Sequence, residues 1–133
     1  MNKYLELIEK IHASPFRLTF VSSGGGTNAI SNLLKVPGAS NTVLESYIPY
    51  SKESMDTFLN KTPDRYCSLE TCLSMAANAF KKSKEIDQRT KTRYLLGIAI
   101  TANLATTYEK RGEHKFFIVI QAYNYTKYLE CYL

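Results

Sequence analysis

Apolar residues recur at Tyr4, Leu5, Ile8 and Ile11, the spacing that turns one face of a helix toward a core, and Ser14-Pro15 breaks that pattern. Phe16-Arg17-Leu18-Thr19-Phe20-Val21 alternates and predicts a first strand. After the stretch Ser22-Ser23-Gly24-Gly25-Gly26-Thr27-Asn28, the residues Ala29, Ile30, Leu33 and Leu34 predict a helix to about Lys35, with Thr27 or Asn28 as its N-cap. Pro37-Gly38 stops it. Residues 42–50 are rich in β-formers, and Pro49 marks an edge strand or a strand end. Ser51 is placed to cap a short helix over 52–59, and Ser68 a longer one whose buried stripe is Leu69, Cys72, Met75, Ala76, Ala79 and Phe80. Residues 94–100 form a continuous apolar run, as expected of a strand covered on both faces. Thr101 opens a small, polar stretch where that strand should end, and the charged residues 108–115 should form a turn. Residues 116–120 and 128–133 read as two last strands, joined as a hairpin through 123–126.

Strands alternating with helices predict an α/β fold in one domain spanning residues 1–133. The chain stops inside an apolar strand-like segment, so the sequence is expected to be the front part of a longer protein. With 44% hydrophobic and 22% charged residues the balance is that of a globular domain, not a disordered one. No apolar run reaches the ~18 residues of a membrane span. Cys67, Cys72 and Cys131 are an odd set without metal-ligand spacing, which points to reduced, buried thiols and a cytoplasmic protein. His12 and His114 are expected at the surface or an interface, and no metal or cofactor is expected.

The net charge of +5 invites a nucleic-acid partner. However, Glu85 and Asp87 interrupt the basic run from Lys81 to Arg93, and no aromatic residues interleave with it in the manner of a nucleic-acid site. A solvated surface is the better reading.

Candidate chemistry centres on the glycine turn. Three successive glycines let main-chain N–H groups approach a ligand, and the following helix adds its positive end, so strand, turn and helix together form an anion or phosphate cradle. A tight strand-to-helix turn that serves packing alone has the same sequence. Gly24, Gly26 and Ala29 satisfy a G-x-G-x-x-A pattern with Glu45 roughly twenty residues on, but the short helix and the place of Glu45 argue against a dinucleotide site. P-loop, nucleophile-elbow and zinc-protease motifs do not occur.

Three short segments taken in order carry more. Ser23-Gly24-Gly25-Gly26, Pro37-Gly38-Ala39-Ser40 and Tyr50-Ser51-Lys52-Glu53 resemble the stretches S-C-T-G-G, G-S-S and Y-S-N-E-x-K of the nicotinamide-nucleotide amidohydrolases, the CinA C-terminal domain family. Thr101 falls where that family has a T-G turn. The resemblance spans about residues 4–121 and implies a three-layer α/β/α sandwich of CinA C-terminal type. It also implies a pocket in which Ser23, Gly24, Gly25, Gly26, Thr27 and Thr101 hold a small nucleotide or phosphate, with Ser40 as nucleophile and Tyr50 beside it. A serine hydroxyl needs a proton acceptor to attack an amide. The family's lysine for this purpose falls on Met55, whose thioether cannot take the proton. The resemblance therefore implies a ligand-binding, catalytically degenerate homo-oligomer. Its rivals are an active nicotinamide mononucleotide amidase with a rewired base (Lys52 or a neighbouring subunit's lysine) and a purely structural or assembly domain.

Overall fold

The computed structural model describes residues 2–103 and 114–132. The chain runs α1 (Asn2–Ala13), β1 (Arg17–Ser23), α2 (Thr27–Lys35), a 3-10 turn (Ala39–Asn41), β2 (Val43–Tyr47), α3 (Lys52–Leu59) and α4 (Leu69–Ile86). A second 3-10 turn (Thr92–Tyr94) leads into β3 (Leu95–Asn103), β4 (Lys115–Gln121) and β5 (Thr126–Tyr132). The strands form one sheet in the order β2-β1-β3-β4-β5. β1 is parallel to both β2 and β3, whereas β4 and β5 run antiparallel. This is an α/β fold in three layers.

The period-two alternation of β1 divides its side chains between two cores. Val21, Ala99, Phe117 and Val119 face Met55 and Leu59 of α3 and Cys72, Met75, Ala76 and Ala79 of α4. Leu18 and Phe20 face Ile30 of α2 on the other side, with Leu33, Val43, Leu96 and Ile98 around them. Ser51 and Ser68 cap α3 and α4 by accepting from Ser54 N and Thr71 N. The hairpin joining β4 to β5 closes through Ala122 N–H donating to the Tyr125 carbonyl at 2.9 Å.

Three sequence expectations change, and one falls outside the described residues. The N-cap of α2 is Gly26, in the left-handed region at φ 87°, rather than Thr27 or Asn28. β3 runs on through Thr101 to Asn103, because Ser22 and Ser23 of β1 continue the ladder opposite Ile100 and Thr101. His12 is buried, not superficial. Its Nε2 donates to the Leu33 carbonyl at 2.9 Å, since a carbonyl can only accept, and its Nδ1 shares a 2.7 Å hydrogen bond with the Thr42 hydroxyl. The imidazole thus ties α1 to α2 and to the start of β2. Finally, all but His114 and Lys115 of the charged turn expected over 108–115 lies outside the described residues.

The N-terminal edge of the parallel strands is held by a pair that the sequence alone did not reveal. Arg17 Nη1 donates to Asp87 Oδ2 at 2.6 Å, and Arg17 Nη2 to the Ser40 carbonyl at 3.1 Å. The Thr90 hydroxyl and the main-chain N–H groups of Thr90 and Arg89 also donate to Asp87. The Thr90 bonds, followed by that from Arg17, hold the Asp87 carboxyl well below the usual carboxylate range. A depressed folded-state pKa stabilises the fold above the unfolded value of ~4, and that contribution is lost as pH falls toward the lower folded value. Asp87→Asn is therefore expected to cost about 1–3 kcal/mol at neutral pH. It should also flatten the acid limb of a plot of urea midpoint against pH; an unchanged limb would assign acid sensitivity to other carboxylates.

Candidate functional site at the end of the parallel strands

The connection leaving β1 leads to α2 on one face of the sheet, while that leaving β2 leads to α3 and α4 on the other. The strand order thus reverses at β1, beside the carboxyl ends of β1 and β3. Ligands of open α/β sheets bind at such a switch point. Ser23, which leads into the glycine turn, and Thr101 stand there, paired across the ladder.

The glycines of the turn have steric reasons to be glycine. Gly24 sits at φ 79°, and a Cβ there would lie 2.1 Å from the Ala102 carbonyl oxygen. At Gly26 a Cβ would come within 2.9 Å of the Ile100 side chain. The turn therefore lies directly on β3. Gly25 does not have a positive φ. No side chain caps α2, and Ala29 N–H already donates to the Gly26 carbonyl at 3.1 Å, so the positive end of the helix rests on main-chain N–H groups next to the exposed Thr27. Beneath the turn Ser22 is fully buried, and among the described residues its Oγ has no hydrogen-bond partner.

Thr101 is buried and donates its hydroxyl to the Tyr66 carbonyl at 3.3 Å. The Tyr66 phenol donates to Asp56 Oδ1 at 2.7 Å; that bond, more than burial, raises its pKa. Lys52 Nζ lies 5.8 Å from the centre of the Tyr66 ring. Sequence reasoning kept Lys52 as the base of a rival reading, and the ring it approaches belongs to the residue whose carbonyl accepts from Thr101.

The rest of the inferred catalytic set is not assembled within one chain. Ser40 is exposed in the 3-10 turn before β2, at the N-terminal edge of the parallel strands. Tyr50 follows the other end of β2 and is 83% exposed. The five residues of β2, rising ~3.3 Å each, put roughly 16 Å between the two ends of the strand. The crossover that makes β1 and β2 parallel separates Ser40 from the glycine turn in the same way. Met55 is 1% exposed and packs in the α3–α4 core, turned away from solvent.

Sequence reasoning missed an open groove of about 630 Å³ beside the end of β2. Tyr47, Ile48, Pro49, Glu53, Phe58 and Lys82 are among its lining residues. The Tyr47 phenol donates to Glu45 at 2.7 Å and lies under Lys82, 5.0 Å from the ring centre. Burial, then the bond to Glu45, pushes its pKa up to about 12. The aromatic and apolar run at the end of β2 was the only signal for this groove. Among the described residues, no group of three or more His, Cys, Asp or Glu could hold a metal ion, and no helix is long and apolar enough to cross a membrane.

Among solved structures, the chain is similar to a competence-damaged protein (CinA) superfamily protein from Enterobacter cloacae, with a TM-score of 0.74 at 16% identity over 98% of this chain and 78% of that one. It is also similar to a competence or damage-inducible protein from Enterobacter asburiae, with a TM-score of 0.73 at 16% identity over 98% of this chain and 82% of that one. A third is the competence/damage inducible protein CihA from Agrobacterium tumefaciens, with a TM-score of 0.69 at 19% identity over 97% and 79% of the two chains. No protein-family model and no curated protein sequence matches the chain. The chain thus shares its fold with these three structures, at 16–19% identity.

Proposed function

We propose that this chain is a CinA-like domain that binds a small nucleotide or phosphate ligand at the carboxyl ends of β1 and β3 without hydrolysing it. The observation that carries this reading is the position of the glycine turn: the uncapped N-terminus of α2 opens onto the switch point of the sheet, where anions are stabilised by main-chain N–H groups and the helix dipole. The family resemblance of the glycine turn, Gly38–Ser40 and Tyr50–Glu53 adds nicotinamide mononucleotide as the first ligand to try. Met55 speaks against turnover, since a buried thioether stands where the family's lysine would activate a hydroxyl. So does the place of Ser40, whose carbonyl bonds Arg17 at the far edge of the sheet.

A structural reading rests on a specific observation too. The contacts of Gly24 and Gly26 with β3 account for both glycines through packing alone. A thermal-shift series with nicotinamide mononucleotide, nicotinate mononucleotide and inorganic phosphate separates the two readings. Binding predicts a rise in Tm that grows with ligand concentration. Gly25→Asp, which adds a carboxylate at the helix's positive end, should abolish that rise while leaving the ligand-free Tm within a few degrees. No rise with any of the three ligands would favour packing. Ammonia released from nicotinamide mononucleotide at enzyme-like rates would overturn the non-catalytic reading and direct attention to Lys52.

A further inference from the structure

The two edges of the sheet are treated differently by the sequence. β2, at one edge, is five residues long, carries a register irregularity opposite Leu18 and Thr19, and is followed by Pro49. Short length, irregularity and proline are the usual protections of an edge strand against pairing with another chain. β5, at the other edge, has none of these three, and of the charged side chains that also guard edges it carries only Lys127 and Glu130. It is seven residues long, keeps an unbroken register with β4 from Thr126 to Tyr132, and contains no proline. Tyr128, Leu129 and Tyr132 on it are each 55–56% exposed.

The direction of its free hydrogen-bonding groups follows from the hairpin. Ala122 and Tyr125 form a bonded pair next to the turn, and bonded and non-bonded pairs alternate along an antiparallel ladder. Lys127, Leu129 and Cys131 therefore bond to Ile120, Ile118 and Phe116 of β4. Thr126, Tyr128, Glu130 and Tyr132 turn their main-chain N–H and C=O groups to the open edge. Side chains at even positions share the α4 face with Phe117 and Val119, and those at odd positions share the other face with Ile118 and Ile120.

We propose that the free edge of β5 pairs antiparallel with β5 of a second copy of this chain about a twofold axis at Leu129, joining the two sheets into one. A second copy is the occupant that the register favours. Pairing centred on Leu129 uses all seven residues and sets Tyr128 opposite the partner's Glu130, where a phenol can donate to a carboxylate. It also sets Thr126 opposite Tyr132 and Leu129 against its own copy. Centring the pair on Lys127 or Glu130 would oppose like charges, which destabilises a sheet. Each copy offers its half-exposed Tyr128, Leu129 and Tyr132 together with the stems of Lys127 and Glu130. At ~150–250 Å² for a whole aromatic side chain, that is roughly 500 Å² per copy, close to the ~1,000 Å² in total that a specific interface needs. The cavity of about 270 Å³ lined by Ile118, Ile120, Lys127, Tyr128 and Leu129 adjoins the axis and would continue into its counterpart.

The test is sedimentation of the 133-residue chain at tens of micromolar. The expected mass is twice 15.1 kDa. Tyr128→Pro removes an outward N–H but no bond to β4, so it should give a monomer with an unchanged circular dichroism spectrum. In a Leu129→Cys/Cys131→Ser chain, position 129 and its copy in the second chain form a non-bonded antiparallel pair ~4.5 Å apart at Cα, within disulfide reach. Mild oxidation should join them, as read by peptide mapping, even if Tyr128→Pro fails to fold. A monomeric wild-type chain, a Tyr128→Pro dimer, or the absence of the mapped disulfide would each overturn the proposal. The outcome is independent of what the glycine turn binds.

Discussion

Gly97→Ala is expected to cost about 3 kcal/mol or more, because the added carbon has nowhere to go. A Cβ on Gly97 would lie 2.2 Å from the Phe80 nitrogen, 2.4 Å from the Ala76 carbonyl oxygen and 2.8 Å from the Ala79 carbonyl carbon, all main-chain atoms of α4. No rotamer change relieves contacts with a helix backbone. The helix and β3 must separate, and with them the core of Cys72, Met75, Ala76 and Ala99. Overpacking ordinarily costs ~1–3 kcal/mol when flexible side chains can yield, and this site lies at or beyond the upper end of that range. Urea denaturation followed by circular dichroism measures the loss. A midpoint equal to wild type would mean that α4 rides higher on the sheet than described.

Met55→Lys is expected to destabilise the protein by several kcal/mol rather than to restore a catalyst. The family comparison makes lysine the natural substitution to try, and sequence alone offers no objection. The structure does: Met55 is 1% exposed and packs in the cluster with Val21, Leu59, Cys72 and Met75. An ammonium without a partner in such surroundings is costly, and burial pushes the pKa of a lysine down. Between the lowered folded value and the unfolded value of ~10.4, the unfolded chain binds more protons. Stability of the variant, relative to wild type, should therefore rise with pH across that window. Chemical denaturation at neutral and mildly alkaline pH measures both effects. A variant as stable as wild type that also releases ammonia from nicotinamide mononucleotide would show that position 55 reaches the ends of the parallel strands after all.

The elements themselves were legible, since each was set by a local signal. Ser51 and Ser68 cap the helices they were expected to cap. Of the expected stripe, Cys72, Met75, Ala76 and Ala79 are buried and Leu69 and Phe80 half-buried, and the apolar run before Thr101 forms a strand deep in the sheet. What escaped were facts set by the crossing of the chain. Ser40 and Tyr50 are close in sequence but are held apart by the strand between them. Arg17 and Asp87 are far apart in sequence but form an ion pair. His12 looked like a surface residue because its partners, the Leu33 carbonyl and the Thr42 hydroxyl, belong to later elements. Gly97 did leave a trace, because a lone glycine inside an apolar strand often marks a close backbone approach. In the site, the glycine turn was legible as a strand-to-helix junction. That Gly24 and Gly26 lie against β3 was not, because that contact needs the ladder joining β1 to β3.

The place of β1 in the sheet also sets the order in which the protein must be built. β1 leaves the ribosome before the other four strands of the sheet, yet it lies inside the sheet, between β2 and β3. Its neighbour β3 is synthesised only after α2, β2, α3 and α4 have appeared. Throughout that interval Leu18, Phe20 and Val21 stand on a strand with one unpaired edge, and contacts so distant in sequence form slowly. The nascent chain therefore passes through an aggregation-prone stage that ends when β3 docks. Expression yield should respond to chaperone supply and growth temperature more strongly than the stability of the finished fold would imply.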